Sequence, residues 1–342
     1  MANVLTQLAD IITPEIYNAY MQQYTAEKSA FVQSGIAVVD SRVAANITNG
    51  GLLVNMPFWN DLSGEDEVLD DGDTELGTDK ITAGKDMAAV MYRGRAWKVN
   101  ELSAVISGDD PLKALMSKVA AYWVRREQAV LISVLKGLFG TQIYKVDSID
   151  TTFKGPLVDT HLNDISGGTG AVAKISGGAI LDTKQLLGDA ADRVKALGMH
   201  SAVFTALQKQ QLIEYVSEAS NPNIRIPYYL GYRIAAVDDG LPVEGTGTNA
   251  IYTTFLFGDG AIGRNEGTPK ALTSYETDRE KLKGNDIIIT RRAMTMHPYG
   301  VKFTDAQTTG ITPSNAELSD VRNWAKVYEN KNIGLLALKH KI

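Results

Sequence analysis

The sequence predicts a protein of the α+β class. Three observations support this prediction: one long amphipathic helix over residues 111–138, several separate stretches typical of strands, and no strand–helix–strand repeat. At 342 residues the chain exceeds what one hydrophobic core commonly serves, so two or more compact units are expected. Residue usage is that of an ordinary globular protein.

The N-terminal third divides into an arm and a hairpin. Residues 1–48 carry apolar residues at helical spacing in short pieces, broken at Pro14 and Gly35, and are too few for a core of their own. Residues 51–106 contain two extended stretches around a polar segment with several glycines. We interpret them as a long two-stranded excursion, which should rest on a neighbour because a lone hairpin is marginal in water.

The helix over residues 111–138 is the clearest single element and spans about 40 Å. Asp110 is placed to cap it, and Pro111 suits its first turn. Its apolar stripe consists of Leu112, Leu115, Met116, Val119, Trp123, Val130, Val134 and Leu138. At about 100° per residue, three basic residues line up on the opposite side: Lys118, Arg125 and Lys136.

The remainder of the chain alternates between strands and helices. Residues 139–176 read as short strands and glycine-rich turns. Helices are predicted over 179–197 and 205–219, with a shorter one within 314–328. Extended segments are predicted over 201–204, 231–239, 250–258, 284–304 and 333–342.

Negative charge is concentrated in one stretch, residues 57–79, which we call the acidic segment. It has no basic residue and nine acidic ones: Asp61, Glu65, Asp66, Glu67, Asp70, Asp71, Asp73, Glu75 and Asp79. The formal net charge is −6, yet outside this segment 31 acidic residues face 34 basic ones. The acidity is therefore local, and it suggests a metal site, a solvated loop or a surface for a partner.

The sequence gives little support for a metal site or for cysteine chemistry. The chain has no cysteine, which excludes disulfides, thiolate catalysis and thiolate metal ligands. Aligning Gly72 with the invariant glycine of a calcium-binding EF-hand loop places Leu69 and Thr78 where oxygen ligands are required, so that pattern fails. A weak cation site of another kind stays open, beside the solvated loop and the partner surface.

Two further motifs are interpreted as structural. Gly258, Gly260 and Gly263 have the G-x-G-x-x-G spacing of a dinucleotide site, but no helix pattern follows them, so we expect glycine turns. The four histidines show no metal-ligand spacing, and His200 and His297 are expected to be buried and hydrogen-bonded. We therefore expect no catalytic, cofactor or metal residue, and no enzyme. No membrane span and no basic nucleic-acid-binding run are found.

The chain resembles the major capsid proteins of tailed bacteriophages over nearly its whole length. The resemblance lies in an ordered set of stretches: "LADIITPEIYNAYMQQYTAEKSAFVQSGI", "GGLLVNMPFWNDLSG", "ISGDDPLKALMSKVAAYWVRREQAVLISVLKGLFG", "LGDAADRVKALGMHSAVF", "FLFGDGAIG", "RRAMTMHPYGVKF" and "TPSNAELSDVRNWAKVYENKNIGLLALK". No single stretch is diagnostic, but their common order is specific.

The resemblance implies the Hong Kong-phage-type capsid fold and its four regions. They are an N-terminal arm (1–50), an E-loop (51–100), a peripheral or P domain (101–176 and 279–300, with the spine helix at about 111–138) and an axial or A domain (177–278 and 301–342). The implied function is that of a coat subunit, which self-assembles as pentamers and hexamers into an icosahedral shell around double-stranded DNA. An encapsulin-like compartment shell is the alternative, and a metal- or nucleotide-dependent enzyme is a more distant one.

The family also implies partners and a role for the acidic segment. Expected partners are further copies of the chain, then scaffolding, portal and decoration proteins, and packaged DNA held without sequence specificity. The expected location is the virion, after assembly in the host bacterial cytoplasm. Because the family's E-loop lies across a neighbouring subunit, we expect contacts between an acidic set and a basic set: Glu65, Asp66, Glu67, Asp70, Asp71 and Asp73 against Lys118, Arg125 and Lys136.

Some relatives join their subunits by a lysine–asparagine isopeptide bond. Lys80 and Lys85 lie in the expected E-loop, but the sequence shows no acceptor or catalytic glutamate beside them. We therefore predict that this chain forms no covalent cross-link.

Overall fold

The computed structural model describes residues 36–41, 47, 51–62, 64, 66, 78–101, 111–217, 225–238, 240–267, 269 and 272–342. In chain order the strands of this part are β1 (Ala37–Val39), β2 (Leu53–Trp59), β3 (Ala83–Asn100), β4 (Thr141–Val146), β5 (Ile149–Lys154), β6 (Leu162–Asp164), β7 (Val194–Met199), β8 (Glu214–Ser217), β9 (Arg225–Tyr229), β10 (Tyr232–Ala236), β11 (Val243–Glu244), β12 (Ile251–Gly258), β13 (Ile262–Gly267), β14 (Tyr275–Glu280), β15 (Asn285–Pro298), β16 (Val301–Phe303), β17 (Trp324–Lys326) and β18 (Leu335–His340).

Five α-helices lie in the same part of the chain: α1 (Pro111–Phe139), α2 (Val158–His161), α3 (Gly177–Lys184), α4 (Ser201–Lys209) and α5 (Asn315–Leu318). Short 3₁₀ segments cover Gly170–Ala173, Gln185–Arg193, Gly247–Asn249, Val321–Asn323 and Asn330–Asn332. The mixture of helices and mostly antiparallel strands confirms the α+β class.

A six-stranded sheet is built around the two longest strands, β3 and β15. Its order is β1-β13-β15-β3-β2, and β14 pairs with the first half of β15. β15 runs antiparallel to β3 from Asn285 opposite Asn100 to Thr295 opposite Val90. The predicted two-stranded excursion is confirmed in its strands, because β2 pairs antiparallel with the first half of β3.

Helix α1 packs along one face of this sheet and forms the larger hydrophobic core. The apolar stripe predicted for the helix is buried there at Val119, Trp123, Val130, Val134 and Leu138. The Trp123 indole N–H donates to Thr290 Oγ1 on β15 at 3.1 Å, so the one polar atom of this buried ring has a partner. The predicted long helix is therefore confirmed in extent and in orientation.

The second core belongs to an eight-stranded mixed sheet. Its order is β6-β18-β12-β7-β10-β9-β8, with β11 paired to β12. Leu256 and Leu338 from the sheet pack with Ile180 of α3 and with Val203 and Leu207 of α4. The strands predicted at 231–239, 250–258 and 333–342 are confirmed as β10, β12 and β18.

Three predictions between residues 179 and 219 are wrong. The helix expected over 179–197 ends as an α-helix at Lys184, the 3₁₀ segment that follows is broken by Gly188 with a φ of 58°, and the last residues form the buried strand β7. The strand expected over 201–204 is the start of helix α4, and the helix expected over 205–219 ends at Lys209. Gln211 then takes a φ of 57° and the chain continues as strand β8.

The domain boundaries taken from the resemblance remain a prediction, but the hydrogen bonding runs across two of them. Strand β13, expected within the A domain, pairs with β15 in the six-stranded sheet. Strand β6, expected within the P domain, pairs in parallel with β18 in the eight-stranded sheet. Of the expected N-terminal arm, only residues 36–41 and 47 belong to the described part, and β1 among them pairs in parallel with β13.

Candidate subunit-interface surfaces

The acidic segment begins in the last residues of β2 and continues beyond the end of the β2–β3 hairpin. Asn60 closes that hairpin: its backbone N–H donates to Thr82 O at 2.8 Å, and its side-chain amide donates to Thr82 Oγ1 at 2.8 Å. Asp61, Asp66 and Asp79 are described and exposed. The expected interface residues Glu65, Glu67, Asp70, Asp71 and Asp73 lie outside the described residues.

Exposed apolar side chains lie within the first part of the acidic segment and directly after its end. Trp59 is 70% exposed, Leu62 is 76% exposed and Ile81 is 53% exposed. With residues 327–332, the end of the hairpin encloses a cleft of about 1020 Å³ that includes Trp59 and Leu62. Large apolar side chains left open to water beside a charged rim are typical of protein–protein contacts.

The part of the hairpin behind the pair of Trp59 and Ala83, which we call its base, is in contrast fixed firmly to the body. Phe58 packs edge-on against Tyr328 with ring centroids 4.7 Å apart, directly over Gly84, where a Cβ would lie 2.3 Å from the Phe58 ring. The buried Asp86 carboxylate accepts backbone N–H bonds from Met87 and Gly300, at 2.9 and 3.2 Å. The hairpin therefore presents its end from a rigid base.

Two of the three expected basic residues form an exposed pair on α1. Lys118 and Arg125 are exposed, seven residues or about 10 Å apart along the helix. Lys136 is half-buried and lines a separate cavity of about 390 Å³ near Glu244 and the C-terminal end of the helix. None of the three makes an ion pair with any residue that the structure describes.

The only acid of the helix does not belong to this exposed side. Glu127 is buried and pairs with Arg264 of β13, whose Nη2 donates to Glu127 Oε2 at 3.2 Å. Burial raises the pKa of Glu127, and the Arg264 charge opposes that rise. The Glu127 charge is thus taken up inside the molecule, and the exposed side of α1 carries basic residues without an acid of its own.

Three further arginines lie near this side of α1, and the sequence reasoning missed them. Arg93 and Arg95 belong to β3, and Arg126 belongs to α1. Arg126 lines a small cleft of about 120 Å³ together with Arg93. The signal that could have found the strand pair is the alternation in "RGRAW", which places Arg93, Arg95 and Trp97 on one face of a strand.

The glycine motif after β12 and the two histidines predicted to be buried can now be compared with their positions in the fold. Gly258 ends β12, Gly260 takes a φ of 61° in the following turn and Gly263 lies in β13, so the glycine-turn prediction is confirmed. His297 is buried, as predicted, with Nε2 3.0 Å from Asp86 Oδ2, but contrary to the prediction neither ring nitrogen forms a hydrogen bond with a described residue. The burial predicted for His200 is wrong, because His200 is half-buried and its Nδ1 caps helix α4 by accepting the Ala202 N–H at 3.1 Å.

No group of three or more metal-ligating side chains occurs among the residues with described positions. Within that same part of the chain, no helix is long and apolar enough to cross a membrane.

Comparison with known proteins gives consistent results. A family model described as Gp13-like, major capsid protein 13-like, matches residues 155–334. The major capsid protein of Bacillus phage SPP1 is 40% identical over 341 residues, covering 98% of each chain.

Solved structures with a similar fold come from other phages. The capsid of Ralstonia phage GP4 matches with a TM-score of 0.57 at 9% identity, covering 92% of this chain and 91% of that chain. The head structure of Helicobacter pylori bacteriophage KHP40 matches with a TM-score of 0.53 at 9% identity, covering 92% and 90%. At such identities the likeness is one of fold.

Proposed function

The chain belongs to the Gp13-like major capsid proteins of bacteriophages, and from this premise we propose that copies of it cover one another's exposed surfaces as pentamers and hexamers. As a major capsid protein it is a component of the virion and forms the icosahedral capsid shell. Its α+β architecture is the Hong Kong-phage-type capsid fold.

The observation that supports the proposal most is the exposed end of the β2–β3 hairpin. Trp59, Leu62 and Ile81 are left in water around the most acidic stretch of the chain. Burying a large apolar side chain stabilises a contact by about 1.5–3 kcal/mol, so these side chains favour association. The base of the hairpin is buried, and its end is therefore the part that another copy has to cover.

The acidic segment, in this proposal, docks on a basic surface of a neighbouring copy. Its carboxylates face no base within the segment itself, while Lys118 and Arg125 are exposed on α1 without an ion pair among the described residues. Such contacts are screened beyond about 8–10 Å at physiological salt. They would set the register and speed of association, while apolar burial supplies most of its free energy.

Neutralising the acids tests this electrostatic part. We expect the triple variant Asp70→Asn, Asp71→Asn, Asp73→Asn to assemble about tenfold more slowly than the unaltered chain at low salt, because steering by charge is lost. The difference should shrink as sodium chloride is added. Light scattering gives the rate, and negative-stain microscopy gives the fraction of closed shells.

A matched control neutralises acids elsewhere on the surface, with Asp159→Asn and Asp182→Asn. Both are exposed and lie outside the acidic segment. The docking proposal fails if the triple variant and this control assemble at the same rate at every salt concentration.

Further partners follow from the same role. We propose that scaffolding, portal and decoration proteins bind the growing or finished shell, that assembly takes place in the bacterial cytoplasm, and that the inner surface meets double-stranded DNA without sequence preference. The near balance of charge outside the acidic segment, 34 basic against 31 acidic residues, suits loose contact with DNA. Mass spectrometry of purified particles tests the protein partners, and particles free of them would contradict this.

We also propose that the subunit works without catalysis and that the arm, E-loop, P-domain and A-domain boundaries given above describe its regions. Membership of a structural capsid family supports the first proposal. Limited proteolysis of assembled and unassembled chain tests the second. Cuts confined to residues 1–50 and 60–82 in the unassembled chain, and absent in the shell, would support those boundaries.

A further inference from the structure

Three arginines gather between the long helix and the edge of the strand that faces it. Arg93 and Arg95 are two residues apart on β3, so they share a face and lie about 7 Å apart. That face is the one toward α1, because Trp97, the next residue on it, packs edge-on against Tyr122 with ring centroids 5.2 Å apart. Arg126 is one helical turn beyond Tyr122 and lines one cleft with Arg93. We call these three residues the arginine cluster.

The positive charge of the arginine cluster is not neutralised within the described part of the chain. Arg93 Nη2 donates to two neutral oxygens, Pro313 O at 2.6 Å and Asn315 Oδ1 at 3.2 Å. Neither Arg95 nor Arg126 forms an ion pair with a described residue. Burial lowers the pKa of Arg93, and the neighbouring Arg126 charge lowers it further. The fold therefore holds like charges together at a cost, which an anion would relieve.

The acid whose charge acts on Arg93, Glu317, is already engaged elsewhere. The Glu317 carboxylate accepts backbone N–H bonds from Ser314 and Thr309, both at 2.7 Å, and hydroxyl bonds from the same two residues. These bonds lower the pKa of Glu317 to about 2 and keep it charged, but they occupy its oxygens. The negative charge of Glu317 raises the pKa of Arg93, but the carboxylate forms no ion pair with that residue.

The size and chemistry of the cleft favour a carboxylate. Its volume is about 120 Å³, which admits the end of one or two side chains. The backbone of a nucleic-acid duplex cannot enter it, so a duplex would reach only the exposed Arg95 and Arg126. Guanidinium groups offer planar paired donors that match a carboxylate in two-bond geometry.

The same chain carries the acids that would fit, but the point where they are attached to the hairpin is far from its own Arg93. The acidic segment joins β3 at Ala83, ten residues or about 33 Å from Arg93. Because Asn60 and Thr82 close the hairpin, reaching back would require half of the 21 connecting residues at full extension, which leaves no slack for docking. A second copy meets no such restriction.

We propose that the arginine cluster of one copy receives carboxylates from the acidic segment of a second copy. This inference rests on the proposed docking of the acidic segment on a neighbouring copy. It assigns the basic surface of that neighbour to Arg93, Arg95 and Arg126 instead of Lys118 and Arg125. The contact joins different surfaces on the two copies, and such head-to-tail contacts close into rings when the rotation fits.

Cysteine cross-linking tests the contact directly, because the chain has no cysteine of its own. Copies with Arg126→Cys are assembled with copies carrying Asp66→Cys, Asp71→Cys or Asp79→Cys, and then oxidised. We expect a disulfide-linked dimer on a non-reducing gel with at least one of the three. Arg225→Cys, at an exposed arginine on β9, is the matched control and should give none. Absence of a dimer with all three partners, or equal dimer with the control, overturns the proposal.

Charge reversal separates this inference from the docking on which it rests. We expect Arg95→Glu with Arg126→Glu to slow low-salt assembly about tenfold, and Asp70→Lys with Asp71→Lys on the partner copy to restore it. An effect of Lys118→Glu with Arg125→Glu alone would keep the docking and reject the arginine cluster. No effect of either pair would reject both. Loss of binding to a short DNA duplex with unchanged assembly would assign the cluster to nucleic-acid phosphate and also overturn the proposal.

Discussion

At the scale of single residues, Gly137 shows how tightly helix α1 packs against the segment from Leu318 to Trp324. It lies inside helix α1, and a Cβ there would come within 2.4 Å of Leu318 O and 2.5 Å of Trp324 Nε1. Those two atoms are hydrogen-bonded to each other at 2.8 Å. The helix backbone is thus in direct contact with a buried indole, and only glycine fits.

The variant Gly137→Ala is subject to two opposite effects on stability. Helix propensity favours alanine by about 1 kcal/mol. The Cβ, however, would push against a backbone carbonyl and a rigid ring, and overpacking of this kind costs about 1–3 kcal/mol or more. We expect the clash to prevail and the variant to be destabilised in urea denaturation followed by tryptophan fluorescence.

The control for this prediction is Gly178→Ala in helix α3. A Cβ at Gly178 would meet only Ser176 Oγ, at 3.9 Å, so alanine has room there. The free energy of unfolding should be unchanged or raised by up to about 1 kcal/mol. If both glycine variants shift stability in the same direction, packing at Gly137 does not decide the outcome.

We predict that the free energy of unfolding depends on pH through His340. It is fully buried on β18, with Nε2 2.8 Å from Thr254 Oγ1, and burial lowers its pKa to about 4. The unfolded chain, with a pKa of about 6.5 at this residue, binds more protons between these two values. Stability contributed by the neutral ring is therefore complete above about pH 6.5 and falls as the pH drops toward 4, by about 3 kcal/mol at most.

Replacing the ring by an amide tests this prediction. The variant His340→Gln does not titrate and should show a flatter dependence of unfolding free energy on pH between 7 and 4. It should also be less stable than the unaltered chain at pH 7, because the cavity is shaped for imidazole. Parallel pH curves for the two proteins would show that His340 is not the responsible group.

At the scale of elements, the contact between helix α1 and the six-stranded sheet combines apolar packing with buried charge. Arg292 of β15 pairs with Glu266 at 2.8 Å and lies over the Trp123 ring, 5.1 Å from its centroid. The neighbouring pair of Glu127 and Arg264 links the helix to β13. These charges cannot be satisfied by water if the helix shifts, so they fix its position on the sheet.

Removing one partner of this contact should be costly. Glu127→Ala leaves Arg264 buried without its counter-ion, and we expect a loss of about 3 kcal/mol in the free energy of unfolding. Asp192→Ala, which removes the exposed partner of Lys184, is the matched control and should have no measurable effect. Equal stability of both variants would mean that Glu127 does not hold the helix in place.

The elements that sequence could predict are those with a long, uniform pattern. Helix α1 repeats its apolar stripe over eight turns, and β15 continues as an extended segment for 14 residues. The region from 179 to 219 has short elements whose apolar residues fit either a helix or a strand. There the outcome depends on Gly188, on the unusual cap His200 and on the pairing of β7 between β10 and β12, which local patterns do not contain.

For the site, sequence predicted the exposed pair Lys118 and Arg125 but not their neighbours. Arg93 and Arg95 are remote from α1 in sequence, and only the packing of β3 on the helix brings them to Arg126. Lys136 fits the helical stripe, yet its end of the helix is covered by other parts of the chain, which periodicity alone does not reveal.

At the scale of the whole molecule, one strand connects the regions that the family treats as separate. β3 is 18 residues long, or about 56 Å from end to end. Its first residues form the hairpin with β2, and its last lie against β15 and the helix-facing core. Asp86, buried at the junction, is bonded to the turn at Gly300, so no flexible joint interrupts the strand there.

Because β3 is continuous, we expect the hairpin and the sheet behind it to move together as one rigid unit. In the proposed shell of pentamers and hexamers, copies would meet their neighbours at different inclinations, and a hairpin that tilts to follow them would apply a torque to the sheet behind it. We expect the difference between positions to appear as a change in the twist of β3 against β15, with hairpin and strand turning together. Superposing the copies of a solved shell on α1 would show this change. A bend confined to residues 82–84, with the strand pair behind it unmoved, would mean that the hairpin hinges at those residues instead.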